Sequence, residues 1–165
     1  MQNQTILRPV RWGLVLVILG LVFGFGLGVS FGIAEDVYKD YVAQGIAAHP
    51  EHHDAKSPDK IWRYAQRAHF HATGIAAFSL GLVLLTAWSS LRPGLKAATA
   101  ISIGLGGLYP LSWFTMFLLA PSIGRGAAHE HIATELFTYL GVAGLALGIL
   151  GLSVNLFLGV LADDR

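Results

Sequence analysis

The chain has 165 residues, 54% hydrophobic and only 13% charged, with a mean hydropathy of +0.58. A soluble domain carries about 25% charged residues, so this composition excludes a soluble globular surface, and it also lacks the polarity of a disordered tail. The formal charge of +1 excludes an electrostatic case for nucleic acid, and the absence of cysteine excludes disulfides, thiolate metal sites, iron–sulfur clusters and covalent c-type haem.

A helix needs about 20 mostly apolar residues to cross a bilayer. Residues 12–34, 68–88, 97–120 and 132–162 meet that requirement, and Glu135 is the single acid within them. These runs are too long for strands. They predict an all-α integral membrane four-helix bundle with up-down-up-down order, spanning 1–165 as a single domain. The first run exceeds the apolar core of a signal peptide, and its end, Phe31-Gly32-Ile33-Ala34, lacks an A-x-A site, so it reads as a retained anchor. Gly20, Gly24, Gly28 and Gly32 repeat along one stripe of this helix, a glycine-zipper pattern. Such stripes let helices approach closely in lipid. Two readings are open: packing of the first span on the fourth, or a homo-oligomer seam.

The segment 35–67 is the sizeable polar region. Its first part places Val37, Tyr38, Tyr41, Val42 and Ile46 near one helical face. It reads either as an amphipathic helix lying at the membrane surface or as a solvated linker. His49, His52 and His53 follow in a tract that also holds Glu51 and Asp54, a composition able to capture metal or to respond to pH. Pro93-Gly94 punctuates the short turn between the second and third spans, and Pro110 predicts a kink in the third. The basic residues divide five against six between the two sides. The shorter segments and the position of Arg8 and Arg11 favour cytoplasmic termini, in a bacterial cytoplasmic membrane.

The second and fourth spans begin alike. His69-Phe70-His71 and His129-Glu130-His131 each follow an alanine and precede a threonine, on the same side of the membrane. Residues i and i+2 of a helix diverge, so one histidine of each pair points inward. His71 and His131, the deeper two, are the favoured ligands, with His69 and His129 as alternatives. Glu135 stands one turn beyond His131. Ionisable groups within spans mark functional sites by default. Two facing imidazoles suit haem b, whereas three or four with Glu135 suit copper or zinc. Soft-sulfur handling of Cu(I) has little support, because Met116 is the single methionine besides Met1.

These helix starts resemble the histidine-bearing helices of membrane haem proteins, including haem–copper oxidases and nitric oxide reductases. The likeness covers one helix start at each of two sites and implies no individual residue role. The function expected is binding of haem b or a transition metal for electron transfer in or beside a respiratory complex. Metal-ion or proton transport is one alternative, and a structural or assembly subunit without a cofactor is another. The residues do not decide whether the protein is an enzyme.

Overall fold

The computed structural model describes residues 2–163. Its elements are all helical: α1 Gln2–Leu7, α2 Arg11–Ala48, α3 Ser57–Trp88, α4 Pro93–Leu105, α5 Tyr109–Ile123, α6 Arg125–His129 and α7 Ile132–Leu158. Four helical stretches are long and apolar enough to cross a membrane: α2, α3, the α4–α5 pair and α7. The protein is thus an all-α bundle of four long apolar helices.

The third span is broken. A single 3-10 turn at Gly106–Leu108 separates α4 from α5, directly before Pro110. Proline has no N–H and its ring crowds the carbonyl four residues back, so the regular ladder fails here. The kink predicted from Pro110 therefore lies on its N-terminal side. At the other end of α4, Pro93 opens the helix, where a missing N–H is harmless. The fourth span closes earlier than 162, at Leu158, because Gly159 adopts a left-handed φ of 65° and terminates the helix.

The polar region is more ordered than the sequence suggests. The stretch 35–48 is a helix of its own, as one of the two readings had it, and 35–67 is not a loop. Ala34, with non-helical φ −141° and ψ 39°, kinks α2 into two helices, the second ending at Ala48, while α3 already starts at Ser57. Residues 11–33, before the kink, span about 35 Å, close to the hydrocarbon thickness of about 30 Å. The hydroxyls of Ser30 and Tyr38 lie 2.7 Å apart across the bend. The apolar face of 35–48 is partly covered by protein: Val42, Tyr38 and Ile46 pack inward, while Val37 and Tyr41 are exposed. Val42 is buried with Ile61, Ala65, Phe117 and Ala120, and Tyr38 packs on Trp62 and Phe117. Tyr41 donates to the Leu118 carbonyl at 2.6 Å.

The glycine stripes find partners other than those expected. Gly24 and Gly28 lie against Thr73 and His69 of α3, and Gly13 against Ala100 of α4. Gly141, Gly144 and Gly148 lie against Tyr109, Leu105 and Ile103 of the third span. Among the described residues, α2 and α7 share no packed face, and neither do α3 and α7. The third span is therefore the hub, and α7 packs on it alone apart from its short neighbour α6. The reading of first-on-fourth glycine packing is corrected accordingly.

The turn Pro50–His52 carries the histidine tract and docks on the α5–α6 junction. His53 Nε2–H donates to the Pro121 carbonyl at 3.0 Å, supplying a partner for a last-turn oxygen. Asp54 accepts from the Ser57 hydroxyl at 2.9 Å, and Arg125 reaches its other oxygen at 3.2 Å. The Ser57 hydrogen bond holds the Asp54 carboxyl below its ordinary range; desolvation opposes this and the Arg125 charge adds to it. A lowered carboxyl pKa stabilises the fold while the group is ionised, and that contribution disappears as pH falls through the folded value. Acidification below the usual carboxylate range, or Asp54→Asn at neutral pH, is therefore expected to speed amide exchange in residues 53–57. Equal exchange in the variant and the parent would show that the Asp54 contacts do not hold this loop.

Candidate functional site

The two histidine pairs, alike in sequence, are unlike in structure. His69 and His71 lie well inside the continuous helix α3. His129 ends α6, and His131 is the N-cap of α7, with a break in the helix between them. The four rings consequently do four different things.

His69 turns towards α2. Its Nδ1 lies 2.8 Å from the Gly24 carbonyl, which can only accept, so Nδ1 carries the proton. Gly28 leaves the space that this ring fills: a Cβ there would sit 2.6 Å from His69 Cε1. His71 turns the other way, towards α5. It stacks on Trp113 with ring centres 5.9 Å apart and meets the edge of Tyr109 at 5.2 Å. Arg67, one turn back, lies over the same Trp113 ring at 4.7 Å. His131 points into the backbone: its Nδ1 accepts the Ala133 N–H at 3.2 Å. In a neutral imidazole this leaves the proton on Nε2, so neither nitrogen offers a lone pair to a metal.

His129 has a different setting. Between α5 and α7 lies a cavity of about 130 Å³ lined by His129, Glu135, Met116, Trp113, Tyr109 and the hydroxyl-bearing residues beside them. The backbone N–H of Glu135 is hydrogen-bonded to the His131 carbonyl, while its side chain shares the cavity with His129. The histidine that lines the same cavity as Glu135 is therefore His129 of α6 rather than His131. Neither the His129 ring nor the Glu135 carboxylate has a hydrogen-bond or ion-pair partner among the described residues. The hydroxyls of Ser112, Thr134 and Thr138 are all occupied by backbone carbonyls. Trp113 Nε1–H is buried and unpaired. A buried donor without a partner is rare in folded proteins. Liquid water takes about 30 Å³ per molecule, so the cavity has the volume of a hydrated ion, well below the roughly 300–1,000 Å³ of organic-ligand pockets.

The loop histidines lie elsewhere. His49 and His52 stack at 6.4 Å, and both approach Glu51, at 3.8 and 3.4 Å. His53 is held by the Pro121 carbonyl. Among the described residues, no three or more histidine or acidic side chains converge in a way that could hold a metal ion. The favoured pair, His71 and His131, is separated by the third span, whose Tyr109 and Trp113 cover His71.

The sequence reading missed Tyr109, Trp113 and Met116. Their signal was present: with Ser112 they follow i, i+3, i+4, i+7 spacing along one face of α5. No family model, no curated protein and no solved structure matches this chain.

Proposed function

We propose that this chain is an integral membrane protein that binds a single transition-metal ion, copper by side-chain chemistry, in the cavity between α5 and α7. Its role would be one-electron transfer with a partner protein or quinone in the same membrane. The observation that carries this reading is the unpaired His129 and Glu135 lining one small cavity with Met116 and Trp113. Imidazole and thioether nitrogen and sulfur favour copper, and a carboxylate supplies charge. Trp113 would orient a metal-bound water from outside the ligand set. The short, basic connections around Arg8, Arg11, Arg92 and Lys96 support cytoplasmic termini in a bacterial inner membrane.

Haem b fits this packing poorly. An axial pair of His71 and His131 would require Tyr109 and Trp113 to leave their places and His131 to give up its cap. A transport path also has little support. The hydroxyls of Ser112 and Thr138 already donate to carbonyls, and Asn155 is engaged with Ser90 and Val160.

The test is metal analysis of protein expressed with copper, zinc and haem precursors supplied and purified in mild detergent. Stoichiometric copper with a Cu(II) paramagnetic signal after oxidation is expected. His129→Ala and Glu135→Gln should each lower metal affinity by more than about a hundredfold, the upper range of effects for groups that act from outside the ligand set, whereas His131→Ala should retain the metal. Absence of stoichiometric metal, or equal loss in His131→Ala, would overturn the proposal; a Soret band would favour haem instead.

A further inference from the structure

A second, larger hollow lies at the far ends of α3 and α7, away from the His129 cavity. It is a cleft of about 540 Å³ between α1, the turn 89–92 and the start of α4. The charged groups in its wall are Arg8, Lys96 and Asp163. Two cations against one carboxylate leave a surplus of one positive charge, the complement of a phosphodiester. Lys96 Nζ donates to the Ala87 carbonyl at 2.7 Å, which fixes the ammonium at the cleft wall and leaves two of its three protons for an incoming oxygen. Arg8 is exposed and forms no ion pair among the described residues. The remaining wall includes Ile6, Leu91 and Pro93, so the cleft is cationic on one side and apolar on the other.

Its level in the membrane identifies the source of the anion. Trp12 and Trp88, both more than half exposed, flank this end of the bundle, and Arg11 lies over Trp12 at 5.2 Å. Exposed tryptophans of this kind settle among lipid headgroups. Basic pockets between helices at that depth bind anionic headgroups. We infer that this cleft holds the phosphate of an anionic phospholipid between Arg8 and Lys96, with the first carbons of its chains against Ile6 and Leu91.

The test uses the full chain in mild detergent, with lipid retention read by native mass spectrometry. Phosphatidylglycerol and phosphatidylcholine are offered in equal amounts. The parent protein should retain phosphatidylglycerol over phosphatidylcholine by about thirtyfold, the scale of two interfacial cations. An R8Q/K96Q double variant should lose that preference, and the charge-keeping Lys96→Arg should preserve it. Arg8→Gln alone, at an exposed side chain, should lower it several-fold and serves if the double variant does not fold. No preference in the parent, a preference unchanged in R8Q, or an equal loss in a Lys39→Gln control would each overturn the inference. Excess inorganic phosphate should leave the lipid bound; displacement would assign the cleft to free phosphate and overturn the lipid source.

Discussion

Gly148→Ala is expected to destabilise the bundle by about 1–3 kcal/mol, the range for overpacking a close interface. The added Cβ would lie 2.6 Å from Ile103 Cγ1, 2.7 Å from Ile103 N and 3.1 Å from the Thr99 carbonyl. Two of these atoms are backbone, so a rotamer change does not relieve the clash. The α7 and α4 backbones must move apart, and α7 has no other span to fall back on. In lipid this loss is not offset by a hydrophobic drive, because close packing is itself the main attraction between helices. Gly141→Ala acts at the same interface, where its Cβ would sit 2.5 Å from Tyr109 N. Because Tyr109 lines the His129 cavity, this variant should also lower metal occupancy. Gly32 and Gly74 have open space around a Cβ. Alanine there should change stability by no more than about 0.5 kcal/mol. Reversible unfolding in mixed micelles can rank the four variants. A Gly148→Ala cost no larger than that of Gly32→Ala would contradict the described packing.

Asn155→Leu should cost a further large amount, about 1–3 kcal/mol, by leaving polar groups without partners. Asn155 is 3% exposed in an otherwise apolar helix. Its Nδ2 donates to the Val160 carbonyl at 2.9 Å and to Ser90 Oγ at 3.1 Å. These bonds tie the end of α7 to the turn after α3. The tail continues the tie: Asp163 N donates to the Ser90 carbonyl at 2.9 Å, and Leu91 pairs with Ala162. Leucine keeps the branched shape, though it is bulkier, but leaves the Val160 carbonyl unpaired and frees the turn. Faster amide exchange at residues 159–163, together with the stability loss, is the expected signature. Unchanged exchange there would mean that the tail is held by other contacts.

Much of this was legible in the residues. Four apolar runs required four helices, because backbone polar groups in a bilayer must be satisfied within the segment. Pro110 located the break in the third span to within a turn, since the missing N–H acts locally. The histidine repeat was legible only as letters. The same A-H-x-H pattern lies inside a helix at residues 68–71 and across a helix break at 128–131. What breaks the second copy is the end of the short helix α6 at His129 and the extended backbone of His131, ψ 135°, and that geometry does not follow from the pattern itself.

By itself, then, the sequence determined the all-helical class, the number of long apolar helices and the close-packing role of glycine. Each follows from composition or from periodicity along one helix. Tertiary structure decided which faces meet. It placed the third span at the centre, turned Gly141, Gly144 and Gly148 onto that span instead of the first, and packed the helix 35–48, beyond the kink at Ala34, on α3 and α5. It also set His129, rather than His131, beside Glu135, and brought Met116 and Trp113 to the same cavity. The reason is physical: helical periodicity defines the face of one helix, whereas its partner is chosen by close packing and hydrogen bonding between residues far apart in the chain.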